Sequence, residues 1–286
     1  MTTQNPAAAA PPQHPFSVKF WGVRGSIASP GPTTMRYGGN TSCLEVRCGD
    51  CLLIFDAGTG IRELGDRLMR AGGVELDLFF THTHFDHICG LPFFAPAYAP
   101  KNKLRLWAGH LPPGQALRGV VSDLMSAPLF PVPVDIMSAA VEFHEFAAGT
   151  TLHPAPGVNL RTAALNHPNG AVGYRIEFDG RAICYVTDTE HFLGRRDATV
   201  TALVRGADVM IYDCTYTDAE YPSRVGWGHS TWEECLRIAK DAGVKTPVIF
   251  HHDPTRDDDM LDQLSRDADA AFPGAVVARE GLVISV

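Results

Sequence analysis

The stretch Phe79-Phe80-Thr81-His82-Thr83-His84-Phe85-Asp86-His87 sets three histidines and an aspartate within six positions, directly behind an apolar run. The preceding residues, VELDLFF (74–80), read as a buried strand. Past its end, side chains of extended backbone alternate, so His82 and His84 point to one side. Asp86 and His87 are then presented by the start of a helix. Two histidines on one side and an Asp-His pair on the other can hold two metal ions. A lone histidine is usually an ordinary surface or core residue. His-x-His-x-Asp-His behind an apolar strand is different, because spacing and placement both suit ligation.

The rest of the chain bounds what such a centre can serve. With 286 residues, 45% of them hydrophobic, it can bury a large core. A net charge of −8 argues against a long nucleic-acid track, so structured RNA is not expected as a partner. Seven scattered cysteines, an odd number, suggest reduced thiols in a cytosolic protein. The opening MTTQNPAAAAPPQHP (1–15) lacks a basic signal-peptide start and reads as a disordered tail. No window reaches the roughly 18 apolar residues of a membrane span. The expectation is a soluble cytoplasmic protein without membrane association; oligomeric state, a homodimer included, is left open.

Strand patterns recur from residue 16 onward. SVKFWG, TSCLEVRC and CLLIFDAG are followed by the helical TGIRELGDRLMRAGG, with Gly49-Asp50 as a hairpin signal. The segment from about 92 to 157 holds strand-like KLRLWAG, helical GQALRGVVSDLM and the proline-broken APLFPVPVD. Three strands come next (VNLRTAALNH, AVGYRIEFDG, RAICYVTDTE), then helices alternate with ADVMIYD, TPVIF and LVISV. This pattern predicts an α+β fold, two packed sheets with outer helices, in one domain over 16–286.

THTHFDH resembles the signature of the metallo-β-lactamase superfamily, an αββα sandwich of two mixed β-sheets with a metal site at the sheet ends. The likeness runs in order from about Val18 to Pro254: Asp56 in LLIFDAGTG, His167 in LNHPNG, Asp188 in YVTDTE, and two histidines in VIFHHDP. It implies His82, His84 and His167 on one metal, Asp86, His87 and a last histidine on the other, and Asp188 bridging. Asp56 would support the ligand histidines. GHSTWEECLRIAKDAGVKTPVIFHH resembles the phosphodiesterase branch, which includes the tRNA 3′-processing endonucleases. That pattern selects His251 as the last ligand and leaves His252 a supporting role; the lactonase branch would select His252.

The resemblance therefore implies a dinuclear hydrolase using two divalent ions, zinc first, with manganese or iron as alternatives. A shared water would lose its proton near neutral pH, with Asp86 and His229 as the catalytic candidates. His229, in WGHST, would contact a phosphoryl oxygen or the leaving group. Arg24, Arg36 and Asn40, in VRGSIASPGPTTMRYGGN, are candidate substrate-binding residues. The His-x-His-x-Asp pattern differs from the His-x-Glu-x-Asp of di-iron redox members, and no cysteine stands where a zinc β-lactamase has one. The segment between Asp188 and His229 lacks a basic glycine-rich arm. A small or cyclic phosphodiester, such as a cyclic nucleotide, is therefore the expected substrate. A lactonase or other ester hydrolase is the alternative, and a metal-stabilised sensor without activity is a third reading.

Overall fold

Alternation along the strands builds two sheets that share one apolar layer. The computed structural model describes residues 15–286, so residues 1–14 of the expected tail lie outside the described residues. The first half of the chain contributes β1 (Phe16–Gly22), β2 (Cys43–Cys48), β3 (Cys51–Phe55), α1 (Ile61–Arg70), β4 (Glu75–Phe80), α2 (Phe85–Ile88), β5 (Lys103–Ala108), α3 (Leu117–Leu124) and β6 (Ala140–Glu145). The second contributes β7 (Thr151–Ala155), β8 (Val158–Leu165), β9 (Ala171–Phe178), β10 (Arg181–Val186), α4 (Ala198–Val204), β11 (Val209–Asp213), α5 (Trp232–Ala242), β12 (Thr246–Phe250), α6 (Asp258–Ala271), β13 (Val276–Val277) and β14 (Val283–Ser285).

One seven-stranded sheet runs β14-β1-β2-β3-β4-β5-β6 and the other β13-β12-β11-β10-β9-β8-β7. Both are mixed: β3 to β6 are parallel, as are β10 to β13, with antiparallel strands completing each sheet. Phe55 and Phe79 face Tyr174, Tyr185, Ile211 and Phe250 between the sheets. Their neighbours Ile54, Leu78 and Phe80 point the other way, onto α1 and α3. On the far side Met210, Tyr212 and Ile249 pack against α4, α5 and α6. Period-two alternation thus yields the expected αββα order of layers.

Three strands depart from the sequence reading: the two-residue β13, and β6 and β7, which it leaves in an irregular middle segment. β6 and β7 each sit at a sheet edge and carry no fully buried residue, so their apolar pattern is weak. The Gly49-Asp50 turn pairs Cys48 with Cys51, a Cys-x-x-Cys spacing that reading the cysteines as scattered passes over; both thiols are free. Among the described residues no helix is long and apolar enough to cross a membrane.

The carboxyl ends of parallel strands from both sheets converge, the place where open α/β sheets form ligand crevices. Asp56, Asp188 and His251 lie within two residues of the ends of β3, β10 and β12, with φ of 60°, 55° and 62°. Non-glycine residues in this left-handed region are strained by about 1–3 kcal/mol and persist where surrounding bonds hold them. The sharp turn lets each side chain leave its strand and enter the space between the sheets.

The shared layer sets stability. Phe55 is fully buried, with ring centroids 5.5 Å from Phe79 and 5.1 Å from Tyr174. Phe55→Ala is expected to destabilise the fold by about 3–5 kcal/mol. Val283→Ala, at a half-exposed position of an edge strand, should change stability by less than about 0.5 kcal/mol. Urea unfolding of both variants checks the contrast.

Candidate metal centre

The orientation of each histidine is set by what its outer nitrogen touches. Asp56 is fully buried and accepts hydrogen bonds from the Thr81 N–H at 2.8 Å and the Thr81 hydroxyl at 2.9 Å. It also receives the Tyr185 hydroxyl and His87 Nδ1, both at 2.9 Å. His87 therefore carries its proton on Nδ1 and turns the Nε2 lone pair inward. The Thr81 hydroxyl, having donated to Asp56, accepts from His82 Nδ1 at 3.1 Å. On the other sheet the Thr215 hydroxyl donates to Asp213 at 2.8 Å and accepts from His251 Nδ1 at 3.1 Å. His167 Nδ1 donates to the Gly228 carbonyl at 2.8 Å. In all four rings Nδ1 is engaged outside and Nε2 faces the interior of the cluster, as in metal sites whose histidines are braced from behind.

Asp188 stands between two sets of these nitrogens. Its Oδ1 is 3.8 Å from His82 Nε2 and 3.7 Å from His167 Nε2. Its Oδ2 is 3.1 Å from His87 Nε2 and 3.2 Å from His251 Nε2. His84 Nδ1 joins the first set, 3.0 Å from His167 Nε2. Asp86 joins the second, its Oδ2 being 3.3 Å from His87 and 3.4 Å from His251. His82, His84 and His167 form one group with ligand atoms within 4.8 Å of one another, and Asp86, His87 and His251 form another. The one-turn helix α2 is long enough to bring Asp86 and His87 back over the strand end.

The electrostatics suit cations. Burial pushes the His82 pKa well below its usual value, so the ring is a neutral lone-pair donor. Yet its Nε2 is buried with no hydrogen-bond partner. An unsatisfied buried acceptor costs about 1–3 kcal/mol, and a metal ion would satisfy it. At His87 burial opposes charge, but Asp188, Asp86 and Asp56 outweigh it and hold the pKa well above normal. Burial would likewise raise the Asp188 pKa, yet His251, His87 and His82 bring it well below the carboxylate range. The site favours positive charge among ionised carboxylates, and the donor set fits divalent metal.

His229 lies where the two groups meet. Its ring is 5.5 Å from His167 and 5.0 Å from His251, centroid to centroid. Its Nδ1 is 2.9 Å from Asp213 and 3.8 Å from Asp188. Burial disfavours its charge, but the Asp213 carboxylate raises its pKa to about 9. Helix capping near it falls to a different residue: the Thr231 hydroxyl accepts from the Glu234 N–H, starting α5.

Other expected site residues are engaged elsewhere. His252 is buried with Nε2 on the Ala278 carbonyl at 2.8 Å, and burial lowers its pKa to about 3. The left-handed backbone at His251, just past the end of β12, directs its ring into the cluster while His252 turns onto Ala278. Arg24 is fully buried, binding the carbonyls of Gly38 at 2.8 Å and Arg256 at 2.6 Å. Arg36 pairs with Asp259 and Asp262 of α6, and Asn40 with Glu280 and Thr59. The structure does not bring these three polar groups to the cluster.

Two residues that the sequence reading missed stand close by. Asp213 ends β11 in MIYD as Asp56 comes after β3 in LLIFD, a parallel that was available. His110 has no such signal; it lines a cavity of about 440 Å³ with His82, His84, Gln115 and Asn169.

Known proteins share this architecture. Residues 52–252 match the family model described as Beta-lactamase superfamily domain. The chain is 27% identical to ribonuclease Z of Haloarcula marismortui, over 92% of this chain and 94% of that one. Among solved structures, the metallo-beta-lactamase fold protein YhfI of Bacillus subtilis superimposes with a TM-score of 0.71 at 19% identity, covering 96% and 100% of the two chains. Human tRNase Z, short form, gives 0.65 at 21% identity, covering 94% of this chain and 99% of that one. The relatives named for RNA overturn the expectation against structured RNA as a partner. Net charge sums the whole surface and does not report the local field at a site. The match over most of the chain and the His/Asp cluster lead to one assignment: this chain belongs to the Beta-lactamase superfamily and is a hydrolase of the metallo-β-lactamase fold.

Proposed function

We propose that the chain is a phosphodiesterase working with two divalent ions, zinc being the ion its nitrogen and oxygen donors suit first. His82, His84 and His167 would hold one ion, Asp86, His87 and His251 the other, and Asp188 both. The observation that carries this reading is Asp188, whose two oxygens face two separate histidine groups. Bound there, the ions would lower the pKa of water and stabilise negative charge on the substrate oxygens.

The chain's own residues supply the rest. Asp213 keeps a proton on His229 Nδ1 and orients the ring between the two groups. A protonated imidazole there suits hydrogen bonding to a phosphoryl oxygen or proton donation to the leaving oxygen. Asp86 is anchored from outside by the Ser26 N–H at 2.8 Å, which fixes the carboxylate that faces His87 and His251. The likeness to ribonuclease Z over almost the whole of both chains supports an RNA phosphodiester as substrate. The narrower expectation of a small or cyclic phosphodiester rests on sequence and enters the same assay. A lactonase reading is weakened because the histidine it needs, His252, is turned onto Ala278.

The deciding assay offers the purified protein bis-p-nitrophenyl phosphate, a cyclic nucleotide, a tRNA with a 3′ extension and an acyl-homoserine lactone. Phosphodiester cleavage is expected; turnover of the lactone alone would sink the proposal. Elemental analysis should find about two metal ions per chain, falling away in Asp188→Ala along with activity. Asp56→Ala, which frees His87 from its brace, should weaken metal affinity about 10–100-fold. His229→Ala should keep its metal while kcat on a phosphodiester falls about 10²–10⁴-fold. The loss should be smaller for a p-nitrophenolate leaving group, which needs less protonation. An unchanged kcat would return His229 to a structural role.

A further inference from the structure

Trp227 stands at the rim of the metal centre, 58% exposed, on a loop whose backbone is tightly tied. The Glu190 carboxylate, two residues past Asp188, accepts the Gly226 N–H at 2.8 and 2.9 Å and the Gly228 N–H at 2.8 Å. The Trp227 N–H itself bonds the Arg224 carbonyl at 3.0 Å. Gly226 and Gly228 have φ of 88° and 85°, a conformation glycine adopts freely, and together they turn the indole outward. The approach is close: a Cβ on Gly228 would lie 2.4 Å from His167 Nδ1. A large aromatic face is therefore held to the solvent one residue from the carbonyl that orients His167 and two residues from His229.

Arg224 completes the arrangement. Its guanidinium lies 4.9 Å from the Trp227 ring centroid and 5.8 Å from that of Tyr216, whose ring is 6.0 Å from His229. Among the described residues it takes part in no ion pair, so its charge is open to an anion. An aromatic face with an adjoining unpaired guanidinium is the combination that binds single-stranded nucleic acid, the ring stacking on a base and the cation meeting the phosphate. A singly exposed tryptophan is by itself ordinary on a protein surface. Here its fixed backbone, its cation and its placement beside both metal groups point to a ligand.

We propose that Trp227 and Arg224 form a stacking platform for a nucleobase next to the scissile phosphodiester, with Arg224 on the adjoining phosphate. The proposal rests on the phosphodiesterase reading and adds to it a base-binding subsite. It places the preferred substrate among nucleotide-bearing phosphodiesters, and the selectivity comes from stacking, which every base can satisfy.

The test is a cycle on the holoenzyme. The dinucleoside phosphate ApA is compared with analogues lacking one base or the other, on wild type and on Trp227→Ala. Stacking of one base is worth roughly 5- to 150-fold, so Trp227→Ala should raise KM for ApA by that factor with kcat within about twofold. Removing the stacked base should penalise the wild type similarly and add little in the variant, and Trp227→Phe should recover most of the loss. Equal penalties on the abasic compounds would mean a general loop defect and would overturn the platform, while cleavage of ApA by wild type left the phosphodiesterase reading intact. Binding is read separately, by quenching of tryptophan fluorescence on titration with phosphorothioate-linked ApA. The quench should be present in wild type and lost in Trp227→Phe. If wild type cleaved no phosphodiester, the quench alone would decide, and its absence would overturn the platform.

Discussion

The buried carboxylate of Asp56 is the point on which this centre depends. It sits at the end of β3, takes the backbone N–H and hydroxyl of Thr81 from the end of β4, and receives the Tyr185 hydroxyl from β10 of the other sheet. A fully buried charge is tolerable only when its lone pairs are used, and here they join both sheets. The remaining partner is His87 Nδ1. One side chain thus sets the spacing of the sheets at their ends, and the tautomer and direction of a histidine in the cluster. The same hydroxyl of Thr81 passes the constraint to His82. Low local polarity makes such a chain of bonds stiff, and breaking one member leaves others unsatisfied.

The second sheet answers with its own version of the same device. Asp213 at the end of β11 holds Thr215, and through it His251, while its other oxygen holds His229. A carboxylate and a threonine brace an inward histidine on each sheet. The loops then lock across the gap: Glu190 ties the glycines around Trp227, and Gly228 holds His167. The face that meets substrate is built on the outward ends of the bonds that hold the cluster, so rim and centre are mechanically one unit.

Much of this was readable from residue order. The ligand-type side chains of THTHFDH announce themselves by spacing behind an apolar strand, His167 and Asp188 follow from the resemblance to the superfamily, and the structure brings them together. Asp213 was missed because an acid ending a strand is common and no neighbouring histidine marks it. β6 and β7 were missed because edge strands bury little, and burial is what imprints alternation on a sequence. Arg24 was read as a candidate substrate-binding residue, but a guanidinium can be wholly buried where carbonyls surround it, and Gly38 and Arg256 supply them. Overall charge misled in the same way, since a sum over the chain carries no position.

Local periodicity determined by itself most of the elements and their order, and the His82–His87 cluster as a place able to bind metal, because strand alternation and ligand chemistry are properties of neighbours in the chain. Which of His251 and His252 turns inward could not be read that way. Both come after the same strand, and the choice is made by a left-handed turn at His251, with Thr215 on one side and Ala278 on the other. The pairing of Asp213 with His229, and the exposure of Trp227 beside His167, likewise join residues far apart in the chain. Those contacts exist only once two sheets have packed and their loops have met, and that packing decided them.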